Sequence, residues 1–242
     1  MAKIDKKIEK LEVLVSEILS CGSYTHGLGR SLRNLRKELS YYKNHVRNSS
    51  HKIRQKKHLK VQLGSGKHIL KGFLNIDAFP PADLICDIRE GVPLQDKTAK
   101  LIFTEHFLEH IDYPKSVKKV VKECYRILEP TGKIIIGVPD GGLAMESYVT
   151  RDKKFYDKML ATWYKERNCL EDFNTYIDLV NYIFRDQDDD EEFNPHIWAF
   201  DFEKLESLLT DAGFKEVKPW KFDKKLANPR REWGSIYVSA IK

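Results

Sequence analysis

Residues 58–242 are predicted to form an α/β domain built on a doubly wound, mostly parallel sheet, and three observations predict it. From Leu59 onward, short apolar runs alternate with helical stretches across turn residues, the rhythm of strand–helix–strand units. The first of these runs, LKVQL, passes straight into Gly64-Ser65-Gly66. Residues 1–57 carry a different pattern, apolar positions at steps of three and four, and so form a helical extension ahead of the sheet.

In the extension, Ile4, Ile8, Leu11, Val15 and Ile18 mark one helical stripe, and Leu28, Leu32, Leu35, Leu39, Tyr42 and Val46 mark a second. Gly22, Gly27 and Gly29 lie between them, so two helices joined by a turn are expected. Each stripe needs a partner: the other helix, the sheet domain, or a second subunit or partner protein. Two or three heptads are too few to establish a coiled coil. Packing within the chain is the expected arrangement. Residues 47–58 read as a polar connector.

The strands are expected at LKVQL (59–63), FLNID (73–77), DLICDI (83–88), KLIFTE (100–105), KIIIGV (133–138), EVKPWKF (216–222) and GSIYVSAI (234–241). Val117, Val120, Val121, Cys124 and Leu128 place a helix between the fourth and fifth, which Glu129-Pro130-Thr131-Gly132 stops. Residues 140–198 interrupt the alternation with aromatic-rich helical text and the acidic run Asp186–Glu192, and are read as an insertion. The helix 202–214 follows, with Gly213 placed as its C-terminal cap.

The net charge of +6 is unevenly spread. Residues 1–60 hold 15 Lys and Arg against 5 Asp and Glu, whereas the remainder holds 27 against 31. A basic appendage of this kind suits nucleic acid, an anionic surface or an acidic partner, and equally a solvated helical face. Four separated cysteines without a C-x-x-C pair fit neither a zinc ribbon nor a disulfide framework. With a charged start and no apolar run of membrane-spanning length, a cytoplasmic protein is expected.

The chemistry is expected where the strands end. Glycines in the Gly64-Ser65-Gly66 turn let backbone N–H groups approach a ligand closely. Asp77 ends the second strand and Asp87 the third, at the same edge of the sheet, where open α/β sheets bind ligands. A carboxylate after the second strand suits the two hydroxyls of a ribose. The dinucleotide fingerprint needs a third glycine where Ile69 stands, and its acidic residue lies about 20 positions on, against 13 from Gly64 to Asp77. No G-K-[ST] follows the glycines, so a Walker loop is excluded as well.

The segments VQLGSG, KGFLNIDAF, ICDIREGVPL, LIFTEHFLEHI, VVKECYRILEPTGKIIIGVPD and LLTDAGF, in this order across residues 61–214, resemble the class I S-adenosylmethionine (SAM) dependent methyltransferases. Within that family they are similar to a small bacterial branch associated with polysaccharide biosynthesis. The resemblance implies a Rossmann-like seven-stranded sheet with an antiparallel last strand and SAM as the cofactor. It implies that Gly64, Ser65 and Gly66 face the methionine part of SAM, Asp77 the ribose, Asp87 and Ile88 the adenine, and Glu105 with His106 the sulfonium side. Two positions depart from the pattern: Gln62 stands where many members carry an acidic residue, and Lys100 replaces the Asp common before the fourth strand. The first crossover, 66–73, is too short for a full helix.

His106-Phe107-Leu108-Glu109-His110 matches H-x-x-E-H, the pattern of an inverted zinc peptidase. Its place after the fourth strand, where the family usually has E-H-x-L-E-H, favours a structural or cofactor-edge role, and no metal is expected. A hydroxyl acceptor needs a base, for which His106, Asp140 and His196 are the candidates. The insertion's aromatic residues are expected in its core or stacked on a sugar or base, and Arg230-Arg231 in an exposed loop or against an anionic substrate. The expected activity is methyl transfer to a small-molecule or glycan acceptor. The alternatives are an RNA or protein methyltransferase recruited by the basic helices, and a non-catalytic SAM-binding scaffold.

Overall fold

The computed structural model describes residues 2–49, 57–164, 172–185 and 195–242. The acidic run, Cys169 and residues 50–56 of the connector lie outside the described residues.

Seven strands form one sheet: β1 (Leu59–Leu63), β2 (Leu74–Asp77), β3 (Leu84–Ile85), β4 (Ala99–Glu105), β5 (Leu128–Pro139), β6 (Lys215–Pro219) and β7 (Ser235–Ile241). Their order across the sheet is β3-β2-β1-β4-β5-β7-β6. The pairings from β3 to β5 are parallel, and β7 runs antiparallel to both β5 and β6. Strand order reverses direction between β1 and β4, so the crevice that such a reversal opens lies beyond Leu63 and Glu105.

Two strands differ from expectation for local reasons. β3 is cut to two residues because Asp87 leaves the ladder to cap a single 3₁₀ turn, Ile88–Glu90, accepting the Arg89 N–H. β5 starts at Leu128, directly after α3 (Lys115–Ile127), and residues 129–132 loop out of register before pairing resumes at Lys133. The helix stop read at Glu129–Gly132 is therefore a bulge in the following strand.

Alternation along the strands builds two layers. Ile102, Ile134, Ile136 and Val238 face a core shared with α3 and α7 (Phe202–Asp211). Each aliphatic side chain that α3 buries there, Val117, Val120, Val121 and Ile127, contributes about 1.5–3 kcal/mol. Phe103, Ile135 and Tyr237 face the other side and are covered by Leu70, Phe73, Trp220, Phe222 and Leu226 from loops. The first crossover carries no helix; Gln62 staples it, donating to the His68 carbonyl and accepting from the Leu70 N–H.

The N-terminal helices α1 (Ala2–Cys21) and α2 (His26–Ser49) pack against each other, and α2 packs against the edge strand β3. Gly22, at φ +68°, ends α1, whereas Gly27 and Gly29 fall inside the start of α2. Gly29 leaves room there for the Tyr24 ring, which a Cβ would meet at 2.4 Å. The α2 side chains reach the sheet: Asn44 donates to the Ala78 carbonyl at 2.8 Å, and Tyr41 packs on Phe79. No helix among the described residues is long and apolar enough to cross a membrane.

The segment after β5 leaves and rejoins the sheet at one point, where Asp140 bridges Phe200 and Gly141 N–H donates to the Phe200 carbonyl. Between them lie α4 (Gly141–Thr150), α5 (Lys153–Met159), a π-helical turn (Leu160–Tyr164) and α6 (Ile177–Arg185). Its aromatic residues pack largely on each other around Phe155, Met159 and Leu179, with Trp163 stacked on Tyr182.

Candidate functional site

A cleft of about 1320 Å³ opens at the C-terminal ends of β1, β2 and β4. Gly64 takes φ +65°, and a Cβ there would meet the Phe107 ring at 2.5 Å, so glycine is required on both counts. Gly66 takes φ +51° and faces open space. Its N–H donates to Asp77 Oδ2 at 2.8 Å, which closes the bend onto the end of β2. Asp77 Oδ1 accepts from the Phe79 N–H, so each oxygen keeps a lone pair for a further donor. Ser65 Oγ is buried on the cleft wall and has no hydrogen-bond partner among the described residues. A buried hydroxyl left unmatched costs on the order of 1–3 kcal/mol, which a ligand group in the cleft relieves.

Asp87 and the buried Ile88 line the same cleft. The Asp87 carboxylate is held by Arg89, whose Nη2 lies 2.8 Å from Oδ2, and Arg89 reaches on to Glu38 of α2 at 2.8 Å. The Arg89 guanidinium also sits 4.6 Å from the centre of the Tyr41 ring. Helix α2 thus forms part of the cleft wall, with Arg33, Arg36 and Lys37 among the lining residues. The helix and its charge were visible in the sequence; its position against the cleft depends on the fold.

Glu105 ends β4 buried, accepting from the Asn228 N–H, the Arg231 guanidinium and the Tyr237 hydroxyl. Tyr237 Oη is 2.7 Å away, and this contact together with burial pushes the phenol well above its usual range. Arg231 lies in the connection between β6 and β7 and pairs with Glu105 across the cleft. His106 follows at φ +52°, a left-handed position that turns its ring back, with Nε2 2.8 Å from Ser235 Oγ. Burial first, then the nearby Arg231 charge, hold His106 well below the ordinary imidazole range, so it is neutral at pH 7.

The three candidate bases do not share a place. His106 lines the cleft. Asp140 caps α4, accepting the Leu143 N–H at 3.0 Å, and is not among the lining residues. His196 is buried behind the wall, between the lining residues Pro195 and Ile197. Among the described residues, none of the insertion's stacked aromatic rings lines the cleft.

His196 instead meets the H-x-x-E-H segment. Its Nε2 lies 4.0 Å from Glu109 Oε1, and His110 Nε2 lies 3.9 Å from the same oxygen. Glu109 is 1% exposed, and among the described residues neither carboxylate oxygen has a hydrogen-bond partner. Burial pushes its carboxyl up to about 8. The sequence offered two members of this group; His196, 86 positions beyond His110, joins only through the return of the insertion to the sheet.

Residues 38–136 match the family described as "Methyltransferase domain". The match starts inside α2 and ends within β5, so it takes in the bend, both aspartates and the H-x-x-E-H segment. No curated protein matches the chain. Similar solved structures include a SAM-dependent methyltransferase from Thermotoga maritima, described as a possible histamine N-methyltransferase. It is 16% identical with a TM-score of 0.42, covering 88% of this chain and 97% of that one. A SAM-dependent methyltransferase from Archaeoglobus fulgidus is 15% identical with a TM-score of 0.44, over 86% and 91%. A Haemonchus contortus phosphoethanolamine N-methyltransferase, solved with phosphomonomethylethanolamine and S-adenosylhomocysteine, is 12% identical with a TM-score of 0.41, over 78% and 50%. Scores at this level carry no conclusion about activity.

Proposed function

We propose that this chain, a SAM-dependent methyltransferase with its methyltransferase domain matched over residues 38–136, transfers the methyl group to a small-molecule or saccharide acceptor. The observation that carries the reading is the closed bend: the Gly66 N–H held on Asp77, beside a buried Ser65 hydroxyl with no partner, all on one cleft.

The residues fit the cofactor. The Gly64–Gly66 backbone and Ser65 Oγ take the methionine part, and Asp77 accepts both ribose hydroxyls on its remaining lone pairs. Asp87 and Ile88 border the adenine, one polar and one apolar. Glu105 and His106 close the sulfonium side. Bound there, SAM supplies a methyl group already attached to a good leaving group, so the protein's work is alignment and proton removal. His106, neutral at pH 7 and on the cleft, is the group placed to take a proton from a hydroxyl acceptor. The cleft is large enough for a cofactor and a modest acceptor side by side.

Mass spectrometry of the purified chain tests this reading, followed by a methyl-acceptor screen over nucleotide sugars and glycans. Co-purified SAM or its demethylated product, and label transferred to a saccharide, are the expected results. Absence of both the ligand and any transfer contradicts it.

A second reading has its own observation, since Arg33, Arg36 and Lys37 of α2 line the cleft and suit an anionic polymer. An RNA methyltransferase on this plan binds RNA with an affinity that falls steeply as salt rises. Filter binding at two salt concentrations separates the two acceptor classes.

A further inference from the structure

We propose that Glu109, His110 and His196 form a binding site for one divalent transition-metal ion of the zinc type, opening onto the cleft at His110. One ligand atom from each residue lies within 4.8 Å of the others. The proposal stands apart from the methyl-transfer reading and fails or holds separately from it.

Three features make this more than a chance meeting of polar groups. First, Glu109 is 1% exposed, and among the described residues its carboxylate oxygens accept no hydrogen bond, their polar neighbours being the ring nitrogens of His106, His110 and His196 at 3.4–4.0 Å; a carboxyl in such a place is either held neutral or met by a cation. Second, both histidines are oriented in the manner of metal ligands. His196 Nδ1 lies 3.2 Å from the Tyr182 and Ile183 carbonyls, and His110 Nδ1 lies 3.4 Å from the Pro195 carbonyl. A carbonyl only accepts, so each Nδ1 carries the hydrogen and Nε2 is the acceptor nitrogen of each ring, on the side of Glu109. A backbone carbonyl behind a coordinating imidazole is the usual support of such a ligand.

Third, the spacing is nearly right. Ligand atoms on a tetrahedral zinc ion at about 2.0–2.1 Å stand about 3.4 Å from each other, and the two imidazole nitrogens lie 3.9 and 4.0 Å from Glu109 Oε1. Small side-chain rotations close that gap. Two imidazoles and one carboxylate are a set typical of sites that keep an open position. His110 and its neighbour Ile111 line the cleft, so the open position faces it. His106 Nδ1, 3.4 Å from Glu109 Oε1, borders the site on another side. The nearest fixed cation, Arg231, is already paired with Glu105.

The test uses the full chain without an affinity tag, stripped with a chelator, dialysed and titrated with zinc chloride. About one zinc per chain is expected by elemental analysis after gel filtration. Glu109→Gln and His110→Ala are each expected to weaken zinc binding by at least about tenfold, while Cys21→Ser leaves it unchanged. X-ray absorption on the zinc-loaded wild-type chain is expected to show a nitrogen and oxygen shell with imidazole scattering, and this holds even where a variant fails to fold. No retained zinc, unchanged affinity in both variants, or sulfur in the first shell overturns the proposal.

Discussion

Two groups of carboxylates sit near the C-terminal ends of the strands and are treated in opposite ways. At the rim, Asp77 accepts from Gly66 and Phe79, and Asp87 is held by Arg89, so every carboxylate is met by the chain itself. Behind β4, Glu109 is more deeply buried than either and, among the described residues, accepts no hydrogen bond; three histidine rings surround it at 3.4–4.0 Å. Burial distinguishes the two places, and so does hydrogen bonding. A carboxylate with its own N–H partners fixes backbone shape, and the bend can then present its outer surface to a nucleoside. A buried carboxylate that accepts no hydrogen bond and is ringed by histidines is the place where the proposed metal ion would sit.

The contrast can be broken most forcefully at Gly64. Gly64→Ala imposes a left-handed strain and pushes a methyl group into Phe107, so about 3 kcal/mol of stability is expected to go, with SAM binding lost. Chemical denaturation and calorimetry together check both halves. Metal withdrawal acts on the other region: with zinc at about a hundred times its Kd the chain gains about 2.7 kcal/mol, and a chelator removes that gain, read as a fall in Tm. A chelator without effect on Tm in zinc-loaded protein contradicts the expectation.

Ser65→Ala sharpens the distinction within the rim. The hydroxyl has no partner in the folded chain, so the variant is expected to be as stable as the wild type or slightly more so. Affinity for S-adenosylhomocysteine is expected to fall by about fivefold, the worth of roughly 1 kcal/mol. Equal loss of stability and affinity would show instead that Ser65 serves the fold. The smallest effect is expected at Glu38→Ala, which removes a half-exposed partner of Arg89. A stability change within about 1 kcal/mol and a small change in cofactor affinity are expected, both diminishing in high salt.

What the sequence disclosed follows the same division. Strands were legible because their apolar runs end in turn residues, and LKVQL matches β1 residue for residue. The bend and the two aspartates were legible because each is adjacent to a strand end, where local order implies spatial convergence. The short β3 was not, since whether Asp87 extends a strand or caps a turn depends on Arg89 and α2. The same holds for Gly27 and Gly29, whose place inside α2 depends on the Tyr24 ring. His196 was singled out from its type, yet its neighbours come from distant segments that no spacing rule connects. Helix α2 as a wall of the cleft was likewise hidden, because a basic amphipathic stripe is silent about what it covers.

We propose that Asp77 holds the ribose of SAM while the Gly64–Gly66 bend, tied to it by the Gly66 N–H, takes the methionine part. Isothermal titration calorimetry of the full chain with S-adenosylhomocysteine, wild type against Asp77→Ala, tests it directly. One equivalent bound by the wild type, weakened at least about tenfold in a variant that remains folded, is the predicted result, in keeping with the loss of hydrogen bonds to a charged acceptor. A wild-type chain that binds nothing, or a folded variant that binds equally well, would contradict it.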